Sequence, residues 1–91
     1  MQPHKIIGTQ TISVSGTSAA TSTAFGDNTT IVRLVSTTDC HLRFGTSPTA
    51  TTSNMMLPAN VVEYFKVTPG VKLAAIQRLA SGTLYVTEMT Q

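Results

Sequence analysis

Few side chains in this sequence could do chemistry. They are His4, Cys40 and His41, with four carboxylates: Asp27, Asp39, Glu63 and Glu88. The tripeptide Asp39-Cys40-His41 has the makings of a thiol nucleophile beside its base, because a thiolate needs a neighbouring proton acceptor. On an extended strand, however, Cys40 and His41 point to opposite faces and share no hydrogen bond. The carboxylates show no spacing that implies an acid/base pair. A zinc site takes about four ligands, and three Cys or His residues fall short of it. The six glycines, at 8, 16, 26, 45, 70 and 82, are isolated turn residues, so none builds a phosphate-cradling loop. Asn28-Thr29-Thr30 fits the glycosylation acceptor pattern and reads as a chance match at a turn. The sequence points away from an enzyme, and it calls for no metal and no cofactor.

What remains is chemistry of contact. Met55-Met56-Leu57 is an apolar trio between a polar loop and Pro58. It reads either as a loop end plugging the core or as a protruding contact for a partner chain, since unbranched Met adapts to irregular surfaces. Tyr64 stands beside Phe65, and on a strand the two must face opposite ways. One belongs to the core; Tyr64 is either a cross-strand packing residue or an interface anchor. Met55, Met56, Leu57 and Tyr64 are therefore the candidate partner-contact residues.

The elements that position them read as strands. Residues 30–36 and 40–44 each alternate, with Val32 and Leu34 opposing Ile31, Arg33 and Val35, and with Cys40, Leu42 and Phe44 opposing His41 and Arg43. With Thr37-Thr38-Asp39 as a short polar turn, they predict an antiparallel hairpin. Residues 45–54 are a long loop, 60–67 a strand, and 72–77 and 83–88 the last two strands. Thr68-Pro69-Gly70 suits a type II turn, with Pro second and Gly third. Near the start, Ile6, Ile12 and Val14 mark one face of a strand whose break at Gly8 suggests a bulge. Residues 15–23 are a low-complexity run, a flexible linker or a polar strand of weak register. Residues 1–29 thus read as an extended arm or as weakly specified strands, joined to one domain spanning 1–91.

Composition agrees with an all-β reading. Threonine and serine make up 25 of the 91 residues, 17 and 8 respectively. Thr suits a half-buried pleated surface, and both hydroxyls suit turns. Short strands separated by turn signals at about 8–12 residues predict a small antiparallel β-sandwich or jelly-roll-like barrel of six to eight short strands. Only 11% of residues are charged, which argues against a disordered tail or a coiled coil. The net charge of +2 comes from cations scattered along the chain, so specific nucleic-acid binding is not expected. The lone Cys40 excludes an intramolecular disulfide framework. Residues 1–5 hold no signal-peptide apolar run, and no stretch reaches the length of a membrane span. The chain is expected to be made in the cytoplasm, with no membrane partner. A core this small and sheet edges this lightly charged suit life in an oligomer or on a larger assembly.

From Thr30 onward the chain resembles a group of small structural proteins encoded by tailed bacteriophages and prophages. The resemblance is carried by Cys40, His41, Phe44 and Gly45, then by Leu57-Pro58-Ala59, Glu63-Tyr64-Phe65, Pro69-Gly70 and Ala75-Ile76. Gly82-Thr83-Leu84 and Thr87-Glu88-Met89 complete it, so that it spans about two thirds of the chain. It implies a virion component: a capsid decoration (cement) protein, homo-oligomeric and most often trimeric. Its partners would be the major capsid protein or other virion proteins, and its place the capsid surface. A tail or head–tail junction component is the alternative within that class. A small module binding carbohydrate or a host surface is the alternative outside it, though a chain without Trp has little aromatic platform to offer.

Overall fold

The structure, a computed structural model, describes residues 5–90. His4 therefore lies outside the described residues. Eight strands follow in order: β1 (Lys5–Val14), β2 (Ala19–Ala20), β3 (Ile31–Ser36), β4 (Cys40–Gly45), β5 (Met55–Leu57), β6 (Glu63–Lys66), β7 (Lys72–Gln77) and β8 (Gly82–Thr90). They form two four-stranded antiparallel sheets, ordered β1-β8-β3-β6 and β2-β7-β4-β5. The first strand pairs with the last, the second with the seventh, the third with the sixth and the fourth with the fifth. That is one long hairpin rolled into two layers, the topology of a jelly roll. The accessible surface, 5119 Å², is what size scaling gives for a folded monomer of this mass, about 5,100 Å².

The two layers are held by the inward parity of each strand. Ile12 and Val14 of β1, Val32 and Leu34 of β3, and Leu84 and Val86 of β8 meet Cys40 and Leu42 of β4, Leu57 of β5, and Leu73 and Ala75 of β7. Phe25, from the segment between β2 and β3, is also fully buried. Its ring lies 6.4 Å from Phe44, which lies 5.7 Å from Phe65, all tilted. These spacings fall in the favoured range for aromatic pairs, and the row ties the two sheets together at one end.

The expected hairpin of residues 30–36 with 40–44 is not formed. Both strands exist, yet β3 pairs with β8 and β6, while β4 pairs with β7 and β5. Residues 37–39 cross from one layer to the other. A tight hairpin needs positive φ at its turn, usually from Asn-Gly or Asp-Gly, and Thr-Thr-Asp offers none. The crossing instead stacks on the neighbouring crossing from β7 to β8. Thr37 N donates to Thr83 O (3.0 Å), Thr38 Oγ1 to Ala80 O (2.9 Å) and Arg78 N to Asp39 O (3.2 Å). Gly82 makes that approach possible. A Cβ there would lie 2.5 Å from Thr37 Oγ1 and 2.7 Å from Thr38 Cγ2.

Residues 5–29 are built into the sandwich as strands and connections. β1 pairs with β8 over its whole length, and the register shifts between Ile6 and Gly8, where the bulge was expected. The bulge turns Ile6 away from the core, so it does not share a face with Ile12 and Val14 and stands exposed. The Thr-rich run after β1 follows the free edge of β7. Thr21 N donates to Leu73 O (2.8 Å), and Phe25 N to Val71 O (2.9 Å). The turn at Thr68-Pro69-Gly70 has its type II form, with Gly70 at φ +86° and Val71 N directed at Thr68 O (3.4 Å).

Candidate interaction surfaces

Cys40 and His41 sit back to back. Cys40 is in the core, and burial pushes its thiol above the ordinary value of 9.0, with the Asp39 charge adding to the rise and a hydrogen bond with Ser36 opposing it. A neutral thiol inside apolar packing is a small hydrophobe. His41 faces the outside of the β2-β7-β4-β5 sheet but is only 7% exposed. Its Nδ1 donates to the carbonyl of Asn54 (3.0 Å), since a carbonyl can only accept.

His41 is buried because the 46–54 loop folds back over that face. Three successive residues of β7, Leu73, Ala74 and Ala75, are all buried, which a strand achieves only when both of its faces are covered. The loop is pinned beside His41 through Asn54 and at the opposite edge of the sheet through Ala50, whose N–H donates to Ser18 Oγ (2.8 Å). Ala50 is itself buried. An internal turn stiffens the loop: Asn54 Oδ1 accepts from Thr51 N (2.7 Å) and Asn54 N donates to Thr51 O (3.0 Å).

The four predicted contact residues do not form one patch. Leu57 is fully buried opposite Cys40 and belongs to the core, so it leaves the contact set. Met55 and Met56 precede it on the free edge strand β5, 46% and 37% exposed. Met56 lies beside His41 on the outer side, and its sulfur accepts from Arg78 Nη1 (3.6 Å). Tyr64, 55% exposed, alternates with core-packed Phe65 and so stands on the outer side of the other sheet. Met56 and Tyr64 thus point in opposite directions from the two layers.

The outer side of β1-β8-β3-β6 is only partly covered: Thr87 and Met89 of β8 are buried on it, while Tyr64 and Tyr85 are exposed. Its side chains are Thr9, Thr11 and Ser13 from β1, Thr83, Tyr85, Thr87 and Met89 from β8, Ile31, Arg33 and Val35 from β3, and Tyr64 and Lys66 from β6. Tyr85, 43% exposed, was not singled out by its position in the sequence. Its membership follows from register, opposite Thr11 on one side and Val35 on the other.

A second group that the sequence did not flag is a polar staple at one end. Glu88 Oε1 accepts from Thr29 Oγ1 (2.8 Å) and Gly26 N (3.1 Å), and Oε2 from Gln10 Nε2 (3.3 Å). Gln10 also holds Thr23 by both backbone groups, at 3.0 and 3.2 Å. A carboxylate so occupied anchors the 26–29 turn, and its role is structural. Among the described residues no group of three or more His, Cys, Asp or Glu could hold a metal ion, and no helix is long and apolar enough to cross a membrane. Comparisons with family models, with curated proteins and with solved structures find no match to this chain.

Proposed function

We propose that this chain is a structural protein of a tailed-bacteriophage virion, a decoration (cement) protein that bridges and stabilises capsomers through surface contacts. The observation that carries the reading is the surface of the folded sandwich. Among the described residues nine large apolar side chains stand exposed on a small β-domain with few charges, six of them as the neighbouring pairs Ile6-Ile7, Met55-Met56 and Val61-Val62. Grouped rather than single exposed apolar side chains suit a surface that other chains cover. The resemblance from Thr30 onward supplies the virion setting, and jelly rolls occur in capsid proteins and lectins alike, so the topology is compatible without deciding.

The mechanism is adhesive. A shell packed with nucleic acid fails at the junctions between capsomers, and a subunit seated across a junction adds contacts that must break first. Several modest patches joined in one homo-oligomer, a trimer in this reading, raise avidity by about 10²–10⁴ when geometry lets them engage together. The test is direct. Purified particles should carry many copies spread over the head, and particles assembled without the protein should release nucleic acid at a lower temperature. A few copies at a single vertex would point to the head–tail junction, and absence from particles would remove the virion role.

A further inference from the structure

The outer face of β1-β8-β3-β6 has a definite charge that the sequence hides. Arg33 pairs with Tyr64 across β3 and β6, and Ile31 pairs with Lys66. Arg33 and Lys66, far apart in the chain, are thereby diagonal neighbours, a relation that sets residues about 7–8 Å apart on adjacent strands. Tyr64 adjoins both, opposite Arg33 and two residues before Lys66 on β6, and Tyr85 lies further in beside Val35. A groove of about 350 Å³ opens at the same corner, lined by Thr30, Ile31, Tyr64, Phe65 and Lys66.

The four acidic side chains all lie elsewhere. Asp27 sits in the 26–29 turn, and Asp39 Oδ1 accepts from Ala59 N (2.7 Å). Glu63 lies on the inward side opposite Leu34, and Glu88 is held by Gly26, Thr29 and Gln10. Among the described residues the face is therefore cationic and aromatic at one side and hydroxyl-rich at the other, with no acidic side chain on it.

We infer that the outer face of β1-β8-β3-β6 docks on the acidic surface of another protein, with Arg33 and Lys66 meeting its carboxylates and Tyr64 and Tyr85 packing on its apolar part. The inference rests on the adhesive reading above and names the chemistry of the partner. Size permits it. The molecule measures 35 × 26 × 18 Å, so its broadest side is at most about 900 Å² in projection, and a standard interface of ~800 Å² per partner would occupy nearly all of one side. Charge selects the occupant. On the described part of this face a second copy offers Arg33 and Lys66 only hydroxyls or its own cations and no acidic side chain to pair with, so it leaves both charges uncompensated. Nucleic acid calls for a denser field of cations than two side chains supply. Tyr and Arg are the side chains that most often anchor protein interfaces.

The experiment places the photo-crosslinker p-benzoylphenylalanine at Tyr85 in cells producing the virus and identifies the adduct by mass spectrometry. The expected adduct joins position 85 to a peptide of another protein that contains Asp or Glu. Arg33→Glu with Lys66→Glu should lower its yield about tenfold or more, the effect of at least ~1.4 kcal/mol. Arg43→Glu with Lys72→Glu, on the outer side of the other sheet, should leave the yield nearly unchanged. Circular dichroism of each variant separates loss of docking from loss of fold. An adduct to a second copy, an adduct to nucleic acid, no adduct from folded protein, or a yield indifferent to the Arg33/Lys66 pair would overturn the inference. An acidic partner that is not a virion protein would keep the docking face and remove the virion role, so the two failures are distinguishable.

Discussion

The two outer faces of this sandwich differ in the residues they carry and in how far they are covered. On the β2-β7-β4-β5 side, the chain's own 46–54 loop lies across the sheet, burying His41, Ala50 and Ala74. On the β1-β8-β3-β6 side Thr87 and Met89 are buried as well, but Tyr64 and Tyr85 stand about half exposed with no loop pinned over them. The difference separates residues that hold the fold from exposed residues that the fold does not use, and the proposed contact surface draws on the latter.

That separation is sharpest within β5, where neighbours have opposite duties. Leu57→Ala should cost about 2–5 kcal/mol, because it empties a fully buried site between the layers, whereas Met56→Ala should stay within about 0.5 kcal/mol. Denaturant unfolding of both variants checks this; similar losses would erase the division between core and contact. Next in size is Gly82→Ala. The added methyl meets the side chains of Thr37 and Thr38 and displaces the Thr37 Oγ1 that accepts from Thr83 N, at an expected cost of about 1–3 kcal/mol. A melting temperature unchanged by this substitution would mean that the two layer crossings are not locked together.

The covering loop gives a smaller effect. Ser18→Ala removes the acceptor of the Ala50 N–H and should cost about 0.5–1.5 kcal/mol, with faster hydrogen exchange at Ala50 than at amides of β8. Uniform exchange across both regions would contradict the view of the loop as a pinned cover. Cys40 adds a pH dependence of fixed sign. Its folded pKa is raised, so the stability it contributes is complete below about pH 9. As pH rises beyond that, the unfolded thiol ionises first and stability is lost, until the folded thiol ionises as well. The native protein should therefore weaken in this range relative to Cys40→Ala, as read by unfolding at a series of pH values; parallel curves would place the thiol in water. Smallest of all, Tyr64→Ser and Tyr85→Ser should each change stability by no more than about 0.5 kcal/mol while reducing retention on particles.

Local features were legible in the sequence where a single residue type has one physical use. The Gly8 bulge, the Pro69-Gly70 turn and the alternation of residues 31–36 appear where they were read, whereas in residues 40–44 the covering loop buries His41 along with Cys40 and Leu42 and masks the alternation. Layer membership was not legible, because a strand with one apolar face fits a hairpin and a crossing equally well. The three residues after Ser36 settled the matter through contacts to Ala80 and Thr83, distant in sequence. The candidate site suffered in the same way. Met55, Met56 and Leu57 look alike in the sequence, yet pairing with β4 sends Leu57 inward. Arg33, Lys66 and Tyr85 looked dispersed until β8, β3 and β6 set them side by side. Glu88 gave no warning of its staple, since its donors come from Gln10, Gly26 and Thr29.

The measurement that bears most directly on the central claim is hydroxyl-radical footprinting of the protein free in solution and seated on purified particles. The account predicts that oxidation of Tyr64 and Tyr85 falls severalfold on the particle while the 46–54 loop keeps its solution rate. Equal oxidation of both tyrosines in the two states, or protection confined to the 46–54 loop, would contradict it.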